Sequence, residues 1–145
     1  MTLTRVSFPL QPPGRRPAFR LTDSSDWCAL LESRANVLLF GVAAATDAFL
    51  REALPHLRTP VQHIASEEGI TISASAKTVV LRNVEILNGN EQRTLLEWLD
   101  RQPDDRKPQI ISHTSAMLYA YVEAQLFDQA LYYRLNSIYL EVFPA

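Results

Sequence analysis

Cysteine is almost missing from this chain: Cys28 stands alone, so no disulfide framework can form, and a reducing cytoplasm is the natural compartment. Histidine is scarce as well. His56, His63 and His113 occur singly, whereas a metal site needs three or four ligands at close range, so no metal is expected. No apolar run approaches the ~20 residues that a membrane span requires. Nor does the N-terminus run from charged to apolar to small residues, as a signal peptide would. What is left is a soluble globular domain of 145 residues with 47% hydrophobic and 21% charged composition. A chain of that size buries about 70% of its unfolded surface without staples.

Acidic residues are absent from the first 22 positions, which hold Arg5, Arg15, Arg16 and Arg20. The remainder therefore carries 10 basic against 16 acidic groups. An acidic body of that kind is a poor nucleic-acid binder, because duplex affinity comes largely from Lys and Arg neutralising phosphates. Pro9, Pro12, Pro13 and Pro17 favour extended polyproline conformation in the same segment. Residues 1–22 thus read as a basic proline-rich arm, either a loosely ordered lead-in or a docking arm for an acidic partner. Residues 23–145 read as one domain.

Apolar periodicity organises that domain. Asp23 to Ser33 reads as a short helix with Trp27, Leu30 and Leu31 on one face, and Asn36 to Gly41 as a strand buried on both sides. Asp47 to Leu57 follows as an amphipathic helix. Val61 to Ile64, Thr78 to Leu81, Ile110 to His113 and Ile138 to Val142 supply four more strands. Helices are expected from Asn88 or Asn90 to Arg101, from Ser115 to Gln125, and from Asp128 to Leu135. Strand and helix in alternation predict a three-layer α/β fold with a mainly parallel five-stranded sheet. The Ser- and Thr-rich segment from Ala65 to Lys77 suits either an edge strand or an exposed loop.

Three blocks then carry a resemblance. Phe127 to Asn136 reads F-x-x-x-L-Y-Y-R-L-N; Thr78 to Leu87 followed by Gln92, Leu95, Leu96 and Leu99 aligns on T-L-F-L-D-E-I-G-D-L and Q-x-x-L-L-x-x-L; and Ile110 to Ser115 stands where I-I-A-A-T-N is found. In that order and spacing, the chain from about Asn36 onward resembles the AAA+ ATPase core of sigma-54-dependent transcriptional activators of bacteria. The resemblance implies a P-loop NTPase-like fold and a nucleotide site, but the residues at that site do not suit a nucleotide.

A phosphate-binding loop reads G-x-x-x-x-G-K-[ST], whose backbone amides, lysine and hydroxyl hold phosphates and magnesium. Here Gly41 keeps the first glycine, while Thr46 stands at the second, Asp47 at the lysine and Ala48 at the hydroxyl. Exchanging the lysine for a carboxylate removes an attraction and adds a repulsion, each roughly 4 kcal/mol at 4 Å and an effective dielectric of 20 before screening. Arg82 and Asn83 occupy the Walker B acids. An arginine cannot ligate a cation, and an asparagine cannot act as a general base. The family's finger arginine corresponds to Asp128, its second arginine is kept as Arg134, and no loop resembling G-A-F-T-G-A precedes Arg82. Where the resemblance expects a lid, the chain ends at Ala145.

No cofactor and no ATP binding are therefore expected. A pseudo-ATPase that serves as a regulatory or protein-interaction module is the first reading, with a protein partner or self-association through Tyr132, Tyr133 and Arg134. Thr114 and Ser115 mark the sensor strand. A fragment of a longer activator is one alternative. A small enzyme using the cleft near His113, Thr114 and Asp47 is another. Asp47 is also expected to cap the helix that the family's lysine opens.

Overall fold

Alternation along a single strand explains the layering. In Val37–Phe40, Val37 and Leu39 belong to one buried cluster and Leu38 to the other, as the two-residue side-chain period of a strand demands. A computed structural model of the chain describes residues 3–7, 19–21 and 24–143. Its elements run β1 (Leu3–Ser7), β2 (Phe19–Leu21), α1 (Ser24–Glu32), β3 (Val37–Phe40), α2 (Ala43–Ala53), β4 (Val61–Ala65), β5 (Thr78–Arg82), α3 (Gly89–Arg101), β6 (Gln109–Thr114), α4 (Leu118–Glu123), α5 (Gln129–Leu135) and β7 (Ile138–Phe143).

The strands lie in the order β2-β1-β7-β3-β6-β5-β4. From β7 to β4 every pairing is parallel, which gives the expected five-stranded core. Helices α1 and α2 cover one face through Leu31, Phe49, Leu50 and Ala53, packed on Val37, Leu39, Val80, Ile111 and Leu140. Helices α3, α4 and α5 cover the other through Leu95, Leu99, Leu118, Leu131 and Leu135. Right-handed crossovers of βαβ units place helices on both faces in this way. No helix among the described residues is long and apolar enough to cross a membrane.

The arm contributes more than a lead-in. β1 pairs antiparallel with β7, from Leu3 opposite Phe143 to Ser7 opposite Tyr139, and β2 pairs antiparallel with β1. The five-stranded sheet is thereby extended to seven strands. Without β1, the backbone of β7 would be an open edge, which proteins generally cover. Pro9, Pro12, Pro13 and Pro17, with Arg15 and Arg16, lie outside the described residues.

Local chemistry sets the remaining boundaries. Asn88 caps α3, accepting from the Glu91 amide at 2.8 Å, while the Glu91 carboxylate accepts from the Asn88 amide at 2.9 Å, a reciprocal capping box. Of the segment from Ala65 to Lys77, Ala65 ends β4 and the rest is a loop rather than an edge strand, beginning with a 3-10 turn at Ser66–Glu68. Gln62 of β4 ties it down: its amide nitrogen donates to the Thr71 carbonyl and its oxygen accepts from the Ser73 amide, each at 2.8 Å. A side-chain amide thus satisfies backbone groups that another strand would have taken.

Candidate functional site

In parallel α/β sheets, ligands bind beyond the carboxyl ends of the strands. Here that end is formed by the turns after β3, β5 and β6. Only Gly41 and Val42 separate β3 from α2, because Ala43 to Thr46 are already helical. The sequence reading opened this helix at Asp47; three alanines, the best helix formers, and the missing second glycine explain why it starts four residues earlier. The Thr46 amide, which an open loop would turn toward a phosphate, donates instead to the Val42 carbonyl at 3.0 Å.

Gly41 is held from three sides. Its amide donates to the Thr114 carbonyl at 3.1 Å, and its carbonyl lies 3.1 Å from Nε2 of the buried His113. A Cβ at this position would come within 2.5 Å of the Val142 carbonyl oxygen. Glycine is required here by the close approach of β7.

Asp47 does not cap α2. The N-cap is Val42, with no side-chain hydrogen bond, and Asp47 sits a full turn inside the helix. Its carboxylate instead forms an ion pair with the Arg82 guanidinium at the end of β5. The two residues that the resemblance sets at the lysine and Walker B positions, with charges opposite to those expected there, thus meet each other. A cavity of about 400 Å³ borders the pair, with Arg51 and His63 on its wall. Ala48 is half-buried in α2 and offers no hydroxyl. Asn83 adopts a left-handed conformation, φ 58°, and leads into a 3-10 turn at Val84–Ile86; asparagine tolerates that region better than most residues.

Thr114 and Ser115, which the resemblance sets on the sensor strand, make local bonds. Thr114 Oγ1 donates to the Ala116 carbonyl and accepts from the Ala116 amide, both at 3.1 Å. Ser115 Oγ donates to the Glu85 carboxylate at 3.4 Å. No group of three or more His, Cys, Asp or Glu side chains able to hold a metal occurs among the described residues.

Residues 29–144 match the model of the family described as sigma-54 interaction domain. The chain belongs to the sigma-54 interaction domain family. Solved structures agree on the fold. NtrX from Brucella abortus in complex with ATP superposes with a TM-score of 0.62 at 14% identity over 83% of this chain, and NtrX in complex with ADP with 0.60 at 15% over 84%. The P-loop NTPase domain of the sigma-54 transport activator from E. coli gives 0.54 at 15% identity, covering 77% of this chain and 99% of that domain. The chain spans 37% and 36% of the two NtrX chains. No curated protein sequence matches it.

Within this sigma-54 interaction domain, Asp128, which the resemblance sets at the finger-arginine position, is the N-cap of α5 and accepts from the Leu131 amide at 2.9 Å. Buried Gln92 supports it: its oxygen accepts from the Asp128 amide at 2.7 Å, and its nitrogen donates to the carbonyls of Leu87 at 2.8 Å and Leu126 at 3.0 Å. Sequence reading placed Gln92 on the helix but missed this network, because its partners lie on another segment.

The candidate surface of Tyr132, Tyr133 and Arg134 is corrected in part. Tyr132 is buried in the core against Tyr119, since it falls on the inner stripe of α5 with Leu131 and Leu135. Tyr133 is exposed, and Arg134 forms an ion pair with Asp100 of α3.

Proposed function

We propose that this sigma-54 interaction domain binds no ATP and serves as a protein-interaction or regulatory module in sigma-54-dependent transcription control, in the cytoplasm. The reversed ion pair of Asp47 with Arg82 carries the reading. A nucleotide would have to place its phosphates and magnesium against a carboxylate and a guanidinium of the wrong sign at each point. Magnesium finds no acid at Arg82, and the phosphates find no lysine at Asp47. The helical turn from Ala43 to Thr46 supports the same reading, because the Thr46 amide is taken by the Val42 carbonyl and only a single turn's amides remain where an open glycine loop would wrap a phosphate.

The surface at this end suits a protein better than a phosphate. Val42, Ile86 and Met117 follow β3, β5 and β6 and are 56%, 49% and 44% exposed. Apolar side chains presented on adjacent turns favour contact with another protein surface. The fragment reading is favoured by one observation, the coverage of little more than a third of NtrX, and under it the same module would regulate from within a longer activator. The small-enzyme reading has less support: His113 is buried, Thr114 is bonded to Ala116, and Asp47 is engaged by Arg82.

The triple variant Asp47→Lys, Arg82→Asp, Asn83→Glu tests the proposal. It restores the family charges but leaves the helical turn in place of the loop, so the variant is expected to show no steady ATP hydrolysis in a phosphate-release assay. Sustained turnover would overturn the loop argument.

A further inference from the structure

The opposite end of the sheet holds a second polar cavity, of about 450 Å³. The segments that lead into β3, β4, β6 and β7 surround it, and each brings a cation: Arg34, Arg58, Lys107 and Arg134. Two of these are already neutralised. Lys107 pairs with Asp104 at 3.0 Å, and Arg134 pairs with Asp100. Arg34 and Arg58 have no carboxylate partner among the described residues, and Nε of Arg58 is buried without an acceptor. A buried charged donor left unpaired is unfavourable, so native structures rarely keep one without a ligand or water to receive it.

The floor beneath these two arginines is fixed. Asn36 donates to the Arg134 carbonyl at 2.8 Å and accepts from the Ile110 amide at 2.9 Å, joining the approach to β3 with the last turn of α5 and the start of β6. Gln109 donates to the Ala35 carbonyl at 2.9 Å, and the Arg58 carbonyl accepts from Thr78 Oγ1 at 2.8 Å. The backbone at Arg34 is left-handed, φ 68°, a conformation unfavourable for arginine and ordinary for glycine.

We infer that Arg34 and Arg58 are the arms of a binding site for a phosphate monoester dianion. Two free guanidinium groups ask for two negative charges, which a phosphate monoester supplies and a single carboxylate does not. The planar fork of arginine matches phosphate oxygens two at a time. Asp105, also on the cavity wall, offers an acceptor to a hydroxyl of the esterified group. The site lies at the end of the sheet remote from Asp47 and Arg82 and stands independently of the nucleotide question.

The test is an amide NMR titration of the full chain with inorganic phosphate at low salt, at a pH where phosphate is dianionic, with acetate in parallel. Saturable shifts are expected around residues 34–36, 58 and 107, with acetate binding much more weakly. Arg34→Gly removes a guanidinium while suiting the left-handed backbone, so it should fold at least as well as the parent yet weaken phosphate binding about tenfold or more. Arg58→Lys keeps the charge, loses the fork, and should weaken it severalfold. Binding unchanged in Arg34→Gly, acetate binding as tightly as phosphate, shifts confined to the cavity at Arg51, His63 and Arg82, or no saturable shift at all would overturn the inference.

Discussion

Gly41→Ala is expected to destabilise the protein by about 3 kcal/mol with no nucleotide present, at the upper end of the range for overpacking. The added methyl would sit 2.5 Å from the Val142 carbonyl oxygen, and the obstacle is backbone in a paired strand rather than the tip of a flexible side chain. Relief would require β3 or β7 to move, and both are hydrogen-bonded on each side. For a domain of this size the melting temperature should fall by roughly 10 °C. Gly89→Ala is the control. Nothing lies within 4 Å of a Cβ there, and its place in the first turn of α3 makes it neutral or more stable by about 0.5 kcal/mol. If glycine at position 41 were kept for a phosphate instead, Gly41→Ala would fold as stably as the parent.

Reversing the ion pair gives the second large effect. Asp47→Lys sets an ammonium group against Arg82, losing an attraction and adding a repulsion. The side chains are 46% and 28% exposed, so each contribution is screened to the scale of surface pairs and the total should be about 1–2 kcal/mol. Adding Arg82→Asp recreates a pair of opposite sense. Arg82→Asp alone sets two carboxylates together at a similar cost, so the double variant should recover to within about 0.5 kcal/mol of the parent and the mutant cycle should show a coupling of about 2–3 kcal/mol. Additive losses in urea unfolding at low salt would mean that the two residues do not interact.

Much of the fold was legible because the strands are short apolar runs bounded by polar turns. Val37 to Phe40, Thr78 to Leu81 and Ile110 to His113 have no other plausible place than a sheet buried on both faces. Boundaries set by local sequence were legible as well, such as the cap at Asn88. The start of α2 was not. Alignment on a phosphate loop imposed an open turn on Ala43 to Thr46, whereas the residues themselves favour helix. The strands at Leu3–Ser7 and Phe19–Leu21 were hidden by the prolines between them, since the first pairs with β7 more than 100 positions away and the second pairs with the first.

At the site, the resemblance marks Asp47 and Arg82 separately, each as a departure from the family's pattern. Their reversal in concert was the available signal that they meet, and only the packing of α2 over the end of β5 makes the pair visible. Asp128 and Gln92 follow the same pattern. Read singly, Asp128 is a missing finger; in the fold it caps α5 and is held by Gln92 across 36 positions. Tyr132 was misplaced for a simpler reason: one residue along a helix turns a side chain from the surface at Tyr133 into the core.

Isothermal titration calorimetry of the native chain with ATP and magnesium tests the central claim most directly. The reversed pair of Asp47 with Arg82 and the helical turn before it lead to the expectation of no saturable heat at any accessible nucleotide concentration. A single-site isotherm with micromolar affinity, lost in Asp47→Ala or Arg82→Ala, would contradict it.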